Sequence, residues 1–292
     1  MTLTLGKLTL QSNLVQGPLA GYSTAPFRKA IWDFGGVGYC TTEMISANML
    51  VHNRRDQSRF TWRDPSETLL CYQLSANNAD DLRDACKIVS DLGADLIDLN
   101  CGCPVPKIRK KGAGSKHLSD PQKLASLIQT MRSSTDAVIS IKVRVDSDSG
   151  DQFNQDIVNV VNDSDLDFLT VHGRHFSERY DVNCRYDEIA FFADRVNKPV
   201  IANGDVCSID TLKQSLNTGC QGVMVARAGL GRPWLFAELQ AALSDKPFTK
   251  PNTKTVIKLM LTHITELAEL IGSEHQAILQ ARGFAKYYLR QT

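Results

Sequence analysis

Short apolar runs rich in β-branched residues recur along the chain, with longer stretches of helical periodicity between them. The runs predict strands over residues 14–17, 38–42, 69–73, 96–100, 138–144, 168–172, 200–203 and 222–225. Apolar positions spaced three and four apart predict intervening helices over 25–32, 78–92, 121–132, 151–162, 187–195 and 208–217. Two helix starts are marked: Asp120 precedes a proline at the first helical position, Pro121, and Ser208 stands before a periodic run. Eight strand-helix units in about 240 residues is the size and rhythm of a (β/α)8 TIM barrel. A doubly wound open sheet shares the alternation, but Gly17-Pro-Leu-Ala-Gly21 after the first strand carries no G-x-G-x-x-G, and Gly112-Ala-Gly114 lacks a third glycine.

The pattern changes after Leu243. Lys246-Pro-Phe-Thr-Lys-Pro251 is a charged, proline-bearing linker, and residues 255–270 and 278–290 read as two amphipathic helices separated by Gly272. The expected organisation is a barrel over residues 1–243 followed by a small or truncated helical domain over 244–292.

Composition narrows the partners. The 292 residues carry a net charge of only +1, so any polyanion must be held by local patches. One such patch is available: from residue 246 onward seven Lys or Arg face three Glu, and Arg282, Lys286 and Arg290 recur every four residues along one helix face. Such a stripe is commonly just a solvated surface; its sharper reading is a phosphate-contacting helix. Eight scattered cysteines in a chain this long fit a reducing cytoplasm better than a disulfide framework. No basic leader opens the chain and no apolar run reaches the roughly 18 residues that span a bilayer. No zinc-finger spacing or H-E-x-x-H pattern points to a metal. A cytoplasmic, soluble monomer is expected.

Polar side chains collect at the C-terminal ends of the predicted strands, where barrels keep their chemistry. Gln73 ends the third strand and Asn100 the fourth, with Cys101-Gly-Cys103-Pro104 just beyond. Lys142 and Arg144 close the fifth, His172 and Arg174 the sixth, Asn203-Gly204-Asp205 the seventh and Ala226-Arg227 the eighth. Any one of these is ordinarily a loop cap or a solvated charge. Together they are hard to attribute to capping, because Lys142 and Arg144 alternate on one side of a strand and buried cations need partners. An anionic or electron-rich ligand would supply them. The last two loops of barrels commonly cradle phosphate, and Asn203-Gly204-Asp205 and Ala226-Arg227-Ala228-Gly229 lie there. A lysine at Lys142 would stabilise negative charge on a ring that gains electrons, as in a flavin.

These segments resemble those of bacterial tRNA-dihydrouridine synthases. The resemblance is carried by Gly17-Pro-Leu-Ala-Gly21, Thr42-Glu-Met44, Gln73, Asp98-Leu-Asn-Cys-Gly-Cys-Pro104 with Lys107 and Gly112-Ala-Gly-Ser115, Ile141-Lys-Val-Arg144, His172-Gly-Arg174, Ala202-Asn-Gly-Asp205 and Ala226-Arg227. It runs from about residue 14 to 236. It implies a flavin mononucleotide (FMN) enzyme that uses NADPH to reduce particular uridines in tRNA. By the same resemblance Cys103 is the catalytic acid that protonates uracil C5. Pro18, Leu19, Ala20, Gln73, Lys142, His172, Asn203, Gly204, Asp205, Ala226 and Arg227 match the FMN contacts, and Asn100, Arg144 and Arg174 line the pocket beside the flavin. Ala226 stands where the family usually has glycine and Leu19 where methionine is common. The resemblance also assigns tRNA positioning to the C-terminal helices, here only two where the family generally has a fuller bundle.

The residue types suit that chemistry. The C5=C6 bond of uracil is conjugated to a carbonyl, so hydride at C6 leaves an enolate that needs a proton at C5. A free cysteine titrates near 8.5 and is mostly a thiol at neutral pH, fit to act as an acid. Cys101 alternates away from Cys103 and reads as structural. Extra contacts for a uridine drawn out of its stack are expected from Arg54, Arg55, Arg59 and Arg63 with Phe60 and Trp62, from Lys107, Arg109, Lys110 and Lys111, and from Arg282, Lys286 and Arg290. Two rival readings share parts of this set. An FMN barrel acting on a free pyrimidine needs no basic appendage, and a non-catalytic RNA-binding protein needs no Cys103.

Overall fold

The computed structural model describes residues 2–53, 58–145 and 151–292. Eleven strands are β1 (Leu3–Leu5), β2 (Leu8–Leu10), β3 (Leu14–Gln16), β4 (Cys40–Thr41), β5 (Ile45–Ser46), β6 (Leu70–Ser75), β7 (Leu96–Asn100), β8 (Val138–Arg144), β9 (Phe168–His172), β10 (Val200–Asn203) and β11 (Gly222–Val225). All neighbours in the main sheet are parallel, in the order β3-β11-β10-β9-β8-β7-β6-β4, with the short β5 also on β6. The ring closes between its first and last members, where Gln16 N–H donates to Tyr39 O at 3.0 Å and Gly38 N–H to Leu14 O at 2.7 Å. The predicted eight-stranded barrel is therefore the observed one, and its strands fall within a few residues of the expected bounds.

Alternation along each strand sorts the side chains into two layers. Outward positions such as Leu14, Ile97, Leu99, Ile139, Ile141, Leu169 and Val223 join the inner faces of the surrounding helices in one large core. Inward positions near the strand starts, Val15, Cys71, Leu96, Val138, Phe168 and Ile201, pack with Leu3, Leu5 and Leu10. The β1-β2 hairpin thus plugs the N-terminal end of the barrel. Farther along β6 to β10 the inward residues become polar, Gln73, Asp98, Ser140, Thr170 and Asn203 among them, which moves the chemistry to the opposite mouth.

Helices follow most of the barrel strands: Ala25–Phe34, Ala79–Asp91, Pro121–Arg132, Asp151–Asp163, Tyr186–Arg195 and Ile209–Leu216. Their starts are built as expected at Asp120, whose side chain accepts from Lys123 N–H, and at Ser208, which forms a capping box with Thr211. The hairpin, β5 and the short helices Ala47–His52, Ser58–Thr61 and Pro106–Lys110 are additional to the sequence expectation, as is helix Leu235–Leu243.

The two C-terminal helices run over Thr253–Ile271 and Glu274–Leu289, and Gly272 ends the first in the left-handed conformation at φ 66°. They begin earlier than periodicity predicts because Asn252 and Ser273 cap them by accepting backbone N–H bonds. Their shared core of Val256, Leu267, Ala277, Ala281, Phe284 and Tyr288 extends into the barrel body through Trp234, Tyr22 and Phe34. His263 is stacked 4.1 Å from Phe284 and 6.2 Å from Phe27, and Lys29 pairs with Glu266 at 2.8 Å. The appendage is docked on the helix that follows the first barrel strand. Among the described residues, no helix is long and apolar enough to cross a membrane.

Candidate active site

A cavity of about 730 Å³ opens at the C-terminal mouth of the barrel. Strand β7 delivers Asn100 to its wall, and the chain then turns sharply. Asn100 Oδ1 accepts the backbone N–H groups of Gly102 at 3.2 Å and Cys103 at 2.8 Å, so the side chain ending the strand also holds the turn beyond it. Cys103 is half-buried and lines the cavity, whereas Cys101 is fully buried in the outer core. The two thiols have opposite surroundings.

Deeper in the mouth, Gln73 and Asp98 are register partners on β6 and β7, and Asp98 faces Ser140 on β8. Asn100 Nδ2 donates to Gln73 Oε1 at 2.9 Å, Gln73 Nε2 donates to Asp98 at 2.8 Å, and Ser140 Oγ donates to Asp98 at 2.7 Å. Burial raises the Asp98 carboxyl to about 6 despite those donors and the Lys142 charge. Lys142 is pushed down to about 7, chiefly by burial and then by Arg144. It makes no salt bridge among the described residues. Arg144 donates to His175 O at 2.8 Å, and its guanidinium also borders the cavity.

Burial holds His172 well below its ordinary range, helped by the charges of Lys142, Arg144, Arg174 and Arg227. Its imidazole is therefore neutral. Because Arg174 can only donate, its contact at 3.3 Å makes His172 Nε2 the acceptor and leaves the proton on Nδ1.

Opposite Cys103, the ends of β10 and β11 supply Asn203, Gly204, Asp205, Ala226 and Arg227. Asn203 Nδ2 donates to Met224 O at 3.0 Å, tying the two loops together. Gly204 lies at φ 143°, and a Cβ there would stand 2.3 Å from Cys184 Sγ, so this approach requires glycine. The Asp205 carboxylate bridges Arg227, at 3.0 Å, and the buried Arg174. Arg227 in turn lies over the Tyr180 ring at 3.7 Å. Pro18, Leu19 and Ala20 complete the wall from the first loop.

All eleven expected cofactor positions line this one cavity, as do Asn100, Cys103 and Arg144. The other expected contacts lie elsewhere. Arg174 is 1% exposed and spends its guanidinium on Asp205, His172 and Val182 O, which places it behind the wall. Lys107 is exposed on helix Pro106–Lys110, and Arg282 and Lys286 are exposed on the last helix, all outside the cavity. Arg59 is paired with Glu43 at 2.6 Å and Gln280 at 3.1 Å. Arg63 does not belong with the mouth: it donates to Thr68 O and Gly93 O and pairs with Asp95, groups that precede β6 and β7 at the opposite end of the barrel. Arg54 and Arg55 lie outside the described residues. Arg109 stacks on Phe176 at 3.7 Å. Met44, from the Thr42-Glu-Met44 motif, is also in the wall, and so are Tyr180, Val206, Cys207 and Met224, which sit in no motif that sequence reasoning could use.

The fold recurs in solved, longer chains of low sequence identity. Histamine dehydrogenase from Rhizobium sp. 4-9 superposes with a TM-score of 0.62 at 14% identity, and 6-hydroxypseudooxynicotine amine oxidase from Pseudomonas geniculata N1 with 0.63 at 14%. The alignments cover 82% and 84% of this chain but only 47% and 49% of those two, and they show the fold alone. Sequence relatives are closer. tRNA-dihydrouridine synthase B of Pseudomonas putida is 30% identical over 98% of this chain and 85% of its own length. The proteins of the same name from Pectobacterium carotovorum and Escherichia coli are 31% and 30% identical, each over 98% of this chain and 89% of theirs. The model of the dihydrouridine synthase (Dus) family matches residues 14–291, from the first barrel strand through the last helix. The chain belongs to the dihydrouridine synthase family of enzymes.

Proposed function

We propose that this protein reduces uridines in tRNA to 5,6-dihydrouridine, using FMN held at the barrel mouth and NADPH as reductant. Family membership supports the reaction, and the observation that carries the site is Cys103 facing the cavity that Asn100, Lys142, Arg144 and His172 also line.

The donor set fits FMN. Lys142 has no anionic partner at hydrogen-bonding distance among the described residues, and the only mouth carboxylate beside Arg227, Asp205, is already shared by two arginines. Gly204 packs its backbone against Cys184, which fixes the loop after β10 where it lines the cavity beside Arg227. Leu19, Met44 and Met224 offer apolar surface for a flat ring. Pro18, Leu19, Ala20, Gln73, Lys142, His172, Asn203, Gly204, Asp205, Ala226 and Arg227 would hold the cofactor. Bound there, reduced FMN supplies hydride to C6 of the uracil.

The remaining work falls to side chains. Cys103 gives its thiol proton to C5, which completes addition of one hydride and one proton across the double bond. Asn100 Nδ2 and the neutral His172, with its proton on Nδ1, donate toward the developing oxyanion. Lys142 and Arg144 add positive charge without a competing carboxylate at contact. Lys107, Arg282 and Lys286 face solvent outside the cavity and would meet the sugar-phosphate backbone, and the C-terminal pair of helices would orient the tRNA.

The test is NADPH oxidation by the purified protein with unmodified tRNA or with free uridine, followed by assay of dihydrouridine. Turnover with tRNA alone is expected. Equal turnover of free uridine would replace tRNA by a small pyrimidine substrate, and no turnover of either would remove the reaction.

A further inference from the structure

Asp98 is 5% exposed, lies two residues before Asn100 on the same inward face of β7, and has no part in the chemistry above. It nevertheless ends a chain of hydrogen bonds that begins at Cys103. The backbone N–H groups of Gly102 and Cys103 can only donate, so the face Asn100 presents to them is Oδ1. Its other face is then Nδ2, which must donate, and Gln73 receives it on Oε1 at 2.9 Å. That turns Gln73 Nε2 toward the barrel axis, where it needs an acceptor. Asp98 is that acceptor at 2.8 Å, and Ser140 Oγ holds its other oxygen at 2.7 Å.

The polarity of the chain is thus fixed at both ends, by backbone donors at one and a carboxylate at the other. With an apolar residue at 98, Gln73 would keep a buried NH₂ without an acceptor, and its amide would be free to flip. A flipped Gln73 sets NH₂ against the NH₂ of Asn100, and Asn100 could relieve the clash only by turning Oδ1 away from Cys103. Gln73 and Asn100 both line the cavity, so the same chain decides which of their polar atoms a ligand meets.

We propose that Asp98 is a positioning residue that, through Gln73 and Asn100, sets the orientation of the Cys103 turn and the donor pattern of the cavity wall. Only its kinetic consequence rests on the function proposed above. The structural consequence is independent of it.

The experiment compares Asp98→Leu with Asp98→Asn in the full-length protein. The carboxamide of the second keeps the chain, since its Oδ1 accepts from Gln73 and its Nδ2 donates to the Ser140 hydroxyl. The readout is iodoacetamide alkylation of Cys103 followed by peptide mass spectrometry, with the exposed Cys207 on the far wall as an internal control. In Asp98→Leu the Cys103 rate is expected to rise about tenfold, as the loss of one buried hydrogen bond allows, while Cys207 is unchanged. Asp98→Asn stays within about twofold of the parent protein on that scale. Turnover of tRNA at saturation falls about tenfold in the first variant and recovers in the second. A folded Asp98→Leu protein with unaltered Cys103 alkylation overturns the proposal, as does an Asp98→Asn protein as impaired as Asp98→Leu. If Asp98→Leu does not fold, Gln73→Leu cuts the next link, and unaltered Cys103 alkylation there has the same force. The expected alkylation pattern in a protein that never reduces tRNA would count against the proposed function and leave the positioning role standing.

Discussion

A Cβ placed on Gly114 would stand 2.8 Å from the carbonyl oxygen of Cys103 and 3.0 Å from its Cβ. Gly114 also lies at φ 62°, and the neighbouring Ser115 N–H donates to that same carbonyl at 3.1 Å. The glycine segment therefore props the turn that presents the thiol. Gly114→Ala is expected to cost about 2 kcal/mol of stability and to lower turnover well beyond that of Gly112→Ala. Gly112 also has positive φ, but a Cβ there meets nothing nearer than 3.7 Å, so its variant carries the backbone strain without the collision. Urea unfolding and steady-state rates on both variants check this; equal effects would deny the contact its role.

Cys103→Ala should leave FMN binding and reduction by NADPH intact while uridine reduction falls by at least about a hundredfold, the usual worth of a positioned acid. Cys101→Ala should retain turnover and lose stability instead, because Cys101 is fully buried in the outer core. Single-turnover reoxidation of the reduced protein by tRNA separates the two. Normal reoxidation in Cys103→Ala would reassign the proton donor.

Arg174 and Arg227 share Asp205, yet they answer to different assays. Arg174 is 1% exposed and donates to Val182 O as well as to Asp205, so its removal empties a packed site and leaves Val182 O without that donor, at a cost of about 2–4 kcal/mol. Arg174→Ala should therefore unfold at markedly lower urea even without cofactor. Arg227 is exposed, so Arg227→Ala should leave FMN-free stability within about 1 kcal/mol and weaken FMN binding about tenfold or more. If the two variants exchanged these phenotypes, Arg174 would be the ligand contact.

That contrast shows what the linear chain carries. The barrel is legible because strands buried on both faces read as apolar runs and because helix starts such as Asp120-Pro121 are marked by local chemistry. The mouth is legible because each strand end is a fixed position in the fold, which brings Gln73, Asn100, Lys142, His172 and Asn203 together. Direction beyond the strand is not. Arg144 and Arg174 are both basic residues at strand ends, but one borders the cavity and the other is turned behind the wall by Asp205. Arg63 sits in an arginine-rich run whose geometry carries it to the far end of the barrel. Tyr180 belongs to a loop, where only tertiary contacts such as that with Arg227 set its place.

Lys142 should make the FMN-free protein more stable as pH rises. Its folded value of about 7 lies below the ordinary 10.5, so its cost is full below pH 7 and disappears by about 10.5. Lys142→Met is expected to add about 1–2 kcal/mol at neutral pH, a magnitude held down by partial access to the cavity, and to abolish most turnover. Urea unfolding of both proteins between pH 7 and about 9 isolates the group, since every other titration is common to them. A constant difference across that range would show that Lys142 does not titrate there.

Arg282 and Lys286 project from one face of the last helix, and both are exposed. A phosphate contact releases counterions, so each lost cation should lower the slope of log K against log salt by about 0.7–0.9. The double variant Arg282→Gln/Lys286→Gln is thus expected to reduce the slope for tRNA by about 1.5 and to weaken binding most at low salt. Chemistry at the barrel mouth is untouched, so KM for tRNA rises while kcat at saturation is retained. Arg63→Gln provides the control, because its side chain is engaged at the opposite end of the barrel and should leave the slope unchanged. Fluorescence anisotropy across about 50–200 mM salt measures all three proteins. If the double variant kept the parent slope, the stripe would be solvated surface and the tRNA backbone would have to be held by other residues, of which Lys107, beside the Cys103 turn, is the next to test.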